Sequence, residues 1–243
     1  MNFKKTILSA LATLFLVSPV LAELVFPSLS YRTGAYGPNG IPFADGYEDY
    51  FTLMNERDGG IGGEKVRVVK CETAYNTEKG VECYESTKGE GALLYQPLST
   101  DITYQLIPKA SADNIPVLSS GYGRTSAKNG KIFKWIFNFP GTYWDAASIA
   151  TKHAMDMSGG SLDGKKIALV YHNSGYGKEP IRTLEVLSKK HNFELMLLPV
   201  DHPGQEQKSQ WLQIRRERPD YIFMSVSYTH LRAHETPEHL VCR

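Results

Sequence analysis

The chain has no excess of charge of either sign. Its 27 Lys and Arg stand against 26 Asp and Glu, leaving a net +1 over 243 residues. Nothing in that balance draws a nucleic acid or an anionic membrane surface. Cysteine is scarce at three residues, and neither Cys71 nor Cys83 sits in a redox or metal-binding motif. The apolar run over 7–17 is too short to cross a bilayer comfortably. Catalytic signatures are missing too. There is no G-x-S-x-G and no phosphate loop. His153, His172, His191 and His202 are scattered singly, and each reads as a lone surface histidine beside no nucleophile motif. The expectation is a protein that is not an enzyme and holds no cofactor or metal ion.

What is present begins with a leader. Lys4 and Lys5, the apolar stretch over 7–17, and Val20, Leu21 and Ala22 have the three parts of a cleavable secretory signal. The residue directly after Ala22 is Glu23 and not cysteine, which argues against a lipid anchor, so an exported chain starting near Glu23 is expected. Export makes the cysteines readable. Cys71 ends the second strand and Cys83 lies on the next helix, so an oxidising compartment permits a disulfide between them; two buried thiols are the alternative.

Beyond the leader, short apolar runs alternate with helical patterns. Leu24, Val25 and Phe26 open a strand, and Ser30 to Gly40 is a loop rich in Gly, Pro and Asn. Phe43, Tyr47, Tyr50, Phe51 and Met54 then recur at helical spacing, with Pro42 in the first turn and Gly59 and Gly60 as the stop. Further strands are expected over 66–71, 92–95, 115–119, 132–139, 166–171, 193–198 and 221–225. Helices are expected over 76–88, 103–113, 142–157, 179–190 and 207–217. Strands separated by helices make an α/β fold of parallel sheets with right-handed crossovers, and in such sheets ligands bind beyond the carboxyl ends of the strands.

The loop Thr33, Gly34, Ala35, Tyr36, Gly37, and the helix end Met54, Asn55, Glu56, Arg57, Asp58, Gly59, Gly60, Ile61, Gly62, Gly63 running into the next strand, resemble the start of a type I periplasmic binding protein. The subgroup resembled is the leucine/isoleucine/valine-binding family of ABC-transporter receptors, and the similarity runs from about Val25 to Met224. It implies two α/β lobes, each a parallel sheet flanked by helices, that close on a ligand about a hinge near 138–142. On this basis 1–22 is the signal peptide, 23–139 the N-terminal lobe, 140–226 a partial second lobe, and 227–243 a non-native tail after a truncation. In that tail His230, His234, His239 and Cys242 have the spacing of metal ligands, but no scaffold to hold them is visible, and no metal site is expected.

Candidate ligand residues follow from position and from the resemblance together. Ser99 and Thr100 end a strand just before a helix, where hydroxyls and free helix N–H groups hold a polar head; the matching turn in the family bonds the ligand carboxylate, and simple helix caps are the bland alternative. Gly121, Tyr122 and Gly123 follow the fourth strand on the same edge, and the glycines let backbone approach a ligand. Amino-acid binders of the family offer a small residue and then a Thr there, so Tyr122 suits a bulkier or aromatic ligand. Tyr176 matches the second-lobe tyrosine that closes over the ligand, and Tyr36 walls the cleft from the first lobe. Tyr143 and Trp144 read as core. The resemblance implies a monomeric periplasmic receptor that passes a small polar solute, by default a branched-chain or other neutral amino acid, to an inner-membrane permease. Receptors for amides, urea-like compounds or aromatic acids, and a ligand-sensing extracellular domain, are the alternatives. A secreted hydrolase has no nucleophile motif behind it.

Overall fold

A computed structural model of the chain describes residues 23–120 and 123–226. The leader over 1–22, the loop residues Gly121 and Tyr122, and the tail over 227–243 with its histidines lie outside the described residues.

β1 (Leu24–Ser30) runs past its apolar opening because both its edges are paired. Leu24 to Ser30 match Val66 to Glu72 of β2 (Val66–Glu72) in parallel register, and Ser28 and Leu29 match β3 (Gln96–Pro97). The strand expected over 92–95 is paired differently. Leu93 N–H donates to Val25 and Leu98 N–H to Leu29, while Tyr95 N–H donates to Pro116 on the other side. The segment is shared between two neighbours, so regular pairing with β1 is confined to two residues. A Tyr95–Val117 bridge links β4 (Val117–Ser120), which pairs in parallel with β5 (Ile136–Phe139). The strand expected over 132–139 is shortened, because Ile132 and Phe133 N–H both donate to the Asn129 carbonyl in a turn.

α1 (Gly37–Asp58) begins six residues before Phe43, so Pro42 is interior to it rather than in its first turn. The early start depends on Gly40, where a Cβ would stand 1.8 Å from the Tyr31 carbonyl oxygen. Gly59 ends the helix in the left-handed region at φ 75°, as expected for a C-terminal glycine. α2 (Thr77–Thr87) is capped by Asn76, whose side chain accepts from Lys79 N–H. A disulfide joins Cys71 on β2 to Cys83 on α2, with the Cα atoms 5.7 Å apart. α3 (Thr100–Asp113) starts three residues earlier than the pattern at 103, because Ser99 accepts from Ile102 N–H, and it carries Pro108 inside. These elements enclose Leu29, Tyr84, Tyr95, Ile102, Leu106 and Val117, the core of the first lobe.

α4 (Tyr143–Met157) opens on the Thr142 and Asp145 cap. In the second lobe β6 (Lys166–His172) is central, flanked in parallel by β7 (Glu194–Val200) and β8 (Tyr221–Ser225). The helix expected over 179–190 is α6 (Ile181–His191), which starts after Pro180, and a short helix that the sequence pattern did not show, α5 (Gly175–Lys178), precedes it. α7 (Lys208–Glu217) covers β7, and Ala168, Val170, Leu198 and Ile214 pack between them. Both lobes thus turn the carboxyl ends of parallel strands, and the loops that follow, toward their common boundary.

Candidate functional site

Loops from six strand ends build this boundary, the one after β7 supplying His202 and Pro203. After β1 come Tyr31 and Tyr36, after β2 Thr73 to Asn76, after β3 Ser99 and Thr100, after β4 Gly123, and after β6 Ser174 to Tyr176. The rings among them form a chain. Tyr31 and Tyr75 lie 4.9 Å apart between centroids, Tyr75 and Tyr36 4.3 Å, Tyr36 and His172 6.2 Å, His172 and Tyr176 6.5 Å, and Tyr176 and Tyr143 5.5 Å. The first three rings belong to the first lobe and the last three to the second.

Hydrogen bonds cross the boundary at four places. Tyr36 Oη donates to the Pro203 carbonyl at 2.6 Å and lies 2.9 Å from His172 Nε2 and 3.3 Å from His202 Nδ1. Thr100 Oγ1 and Tyr143 Oη are 2.9 Å apart. Gly175 N–H donates to Asp101 Oδ1 at 3.0 Å. Tyr104 Oη donates to Glu179, whose carboxylate also accepts from Thr125 N–H. The lobes are therefore in direct polar contact.

Burial sets the electrostatics of this region. Asp101 is pushed up from the ordinary aspartate range by desolvation, opposed by the Gly175 N–H and by Lys178. His172 is pushed below its ordinary value by burial and by the neighbouring His202, against a smaller opposing pull from Asp201. Burial also drives the Tyr75, Tyr104 and Tyr143 phenols well up. At neutral pH the boundary presents the neutral His172 imidazole and neutral phenols beside the partly buried Asp101 carboxyl.

Four of the residues singled out in the sequence come together here. Tyr36 and Tyr176 are members of the ring chain, and Ser99 and Thr100 lie at the first-lobe edge. Ser99 has its hydroxyl occupied as the α3 cap, while Thr100 Oγ1 faces Tyr143. Gly123 has φ 38°, and a Cβ there would stand 2.1 Å from Ser119 Oγ, so its backbone packs closely on β4. Gly121 and Tyr122 lie outside the described residues. Two expectations are corrected. His172 is not a surface histidine but 2 % exposed, with Tyr36 on one ring nitrogen and Ser174 Oγ 2.7 Å from the other. Tyr143 is buried as expected of core, yet its hydroxyl is at the boundary with Thr100. Tyr75, Asp101 and Glu179 were not singled out. Tyr75 at least follows the end of β2, the edge at which α/β sheets take ligands.

The Ser174–His172 pair resembles a nucleophile and base, but a catalytic triad needs a carboxylate on the second ring nitrogen, where this ring meets the Tyr36 phenol. Among the described residues no group of three or more His, Cys, Asp or Glu is placed to hold a metal ion. What the arrangement offers chemically is aromatic faces, hydroxyls and N–H groups closing from two sides, which is the chemistry of binding.

The family described as periplasmic binding protein matches residues 24–231. A search of curated proteins found no match. A structure described as an ABC transporter permease from the Pseudomonas fluorescens group is 40% identical, with a TM-score of 0.70, covering 84% of this chain and 51% of its own. A branched-chain amino acid ABC transporter protein from Thermus thermophilus with bound valine is 17% identical, with a TM-score of 0.74, covering 84% and 53%. A solute binding protein from R. palustris in complex with benzoate is 20% identical, with a TM-score of 0.70, covering 84% and 55%. The chain thus spans about half the length of these proteins.

Proposed function

Because this chain belongs to the periplasmic binding protein family, we propose that it is the substrate-binding component of an ABC importer. It captures a small solute between its lobes and hands it to a membrane permease. The observation that carries this assignment is the convergence of strand-end loops from both lobes on one ring-lined boundary bridged by hydrogen bonds. Residues 23–139 form the first lobe and 140–226 the second, with the hinge near 138–142. The protein works as a monomer in the periplasm, delivered there by the 1–22 leader.

Ligand contacts come from Ser99, Thr100, the 121–123 backbone, Tyr36, Tyr122 and Tyr176. A neutral amino acid, branched-chain members included, is the family default, and the ring chain gives specific support to an aromatic acid or an amide. A protein of this fold is known with valine and another with benzoate. A thermal-shift screen of the purified chain against neutral amino acids, amides and aromatic acids tests the assignment, since a ligand that binds only the folded state raises the melting temperature. A saturable shift with a member of that set is expected. No shift with any of them, together with turnover of an ester or amide, overturns it.

A further inference from the structure

Tyr75 stands in an unusual backbone. Ala74 has φ 50° and Tyr75 φ 58°, two successive residues other than glycine in the left-handed region. Side chains avoid this region, and such strain collects at functional sites when the surroundings enforce it. Here the surroundings are visible. Ala74 N–H donates to Glu72 Oε1 at 2.7 Å, and Tyr75 N–H to Thr73 Oγ1 at 3.3 Å. Thr73 Oγ1 in turn donates to the Ser30 carbonyl at 3.0 Å, so the turn is pinned to β1. The result is to place the Tyr75 ring against Tyr36 and Tyr31 rather than in solvent.

The phenol supplies a second, independent observation. Tyr36, Tyr84, Tyr95, Tyr104, Tyr143 and Tyr221 each have a hydrogen-bond partner for the hydroxyl. That of Tyr75 makes no hydrogen bond among the described residues, although burial drives its pKa well up and Tyr176 and Asp101 are close enough to raise it further. Tyr47 also has an unpaired hydroxyl, but it lines a separate groove with Pro42, Phe43, Tyr50, Phe51 and Gln96. Tyr75 is half-buried, and its hydroxyl, with no protein partner among the described residues, is a donor open to an acceptor brought between the lobes.

We propose that Tyr75 determines the ligand specificity of the receptor: its ring is the flat wall on which a planar aromatic ligand stacks, and its hydroxyl donates to an acceptor oxygen on that ligand. The inference rests on the receptor assignment above and adds to it a residue and a ligand class. Carboxylate and carboxamide share the acceptor oxygen, and two probes separate them.

The test is calorimetric titration of the purified chain with benzoate, benzamide and leucine, repeated on Tyr75→Phe and Tyr75→Asn. Asparagine tolerates the left-handed turn and so removes the ring without disturbing the backbone. One aromatic probe is expected to bind better than leucine by about tenfold or more, and Tyr75→Phe to weaken it by about tenfold, the scale of one hydrogen bond. Tyr75→Asn should lose more binding than Tyr75→Phe, both variants being titrated at a temperature where circular dichroism shows them folded, since the ring also packs on Tyr31 and Tyr36. Preference for benzamide over benzoate identifies a neutral ligand beside Asp101, and the reverse an anionic one; either supports the inference. Leucine bound as tightly as the aromatic probes, or aromatic binding unchanged in Tyr75→Asn, overturns it and leaves the receptor assignment standing. Binding of none of the three probes by the wild-type chain overturns it as well, and the wider thermal-shift screen then decides the receptor assignment separately.

Discussion

A single phenol ties the first helix to two loops of the second lobe. Tyr36, 2 % exposed, donates to the Pro203 carbonyl and lies beside His172 Nε2. Tyr36→Phe leaves both partners without their donor or acceptor in a desolvated place, and such a loss costs about 1–3 kcal/mol. The structure makes these contacts without a ligand, so the melting temperature should fall, and ligand affinity should fall by about tenfold; calorimetry and titration of the same variant check both. His172 gives a pH dependence. Burial and His202 hold its pKa below the ordinary 6.5, so the folded chain keeps it neutral where the unfolded chain protonates it. Its contribution is full above pH 6.5 and is lost as the pH falls from there through the folded-state value. Melting temperature should therefore drop on acidification below 6.5, and in His172→Gln the slope should flatten, measured by thermal unfolding at stepped pH.

Among the elements, the β2–α2 unit is held by more than packing. The disulfide closes a loop with a sequence separation of 12, and the chain-entropy account of such a loop gives about 3 kcal/mol. Replacing both Cys71 and Cys83 by Ala should remove about that much stability, read from urea unfolding, and a reductant should have the same effect on the wild type. The unit also carries the turn over 73–76, so loosening it should weaken ligand binding as well. Much of the element plan was legible in the chain. The apolar run over 166–171 and its flanking helical patterns specify buried parallel strands and crossovers, because burial on both faces selects continuous apolar residues. The beginning of α1 was not legible. Pro42 looks like a start signal, and only the approach of Gly40 to the Tyr31 carbonyl shows why the helix begins at Gly37. The strand at 132–139 was over-read for a similar reason: Ile132 and Phe133 are apolar, yet their backbone N–H groups are spent on Asn129.

On the scale of the whole molecule, closure depends on how near the lobes can approach. A Cβ on Gly175 would stand 2.2 Å from Asp101 Oδ1, on the other lobe. Gly175→Val should therefore hold the lobes apart while leaving each core intact. Ligand affinity should fall by at least about tenfold, or roughly 1.4 kcal/mol, and small-angle scattering should show a larger radius of gyration in the presence of ligand than for the wild type. An unchanged affinity would mean that the Asp101 contact is incidental to closure.

The amino-acid sequence on its own determined the alternation of strand and helix, the parallel character of the sheets and the sheet edge on which the candidate residues stand. These depend on local periodicity, caps and turns, and a chain carries them segment by segment. That is why Ser99 and Thr100 could be proposed from their place between a strand and a helix, whereas Tyr36 and Tyr176 were proposed through the resemblance to the family. Tertiary structure alone decided which of these side chains meet. Tyr36 and His172 are 136 positions apart, and no period links them. A buried histidine and a surface one look alike in sequence, because exposure is set by what the other lobe places over the ring.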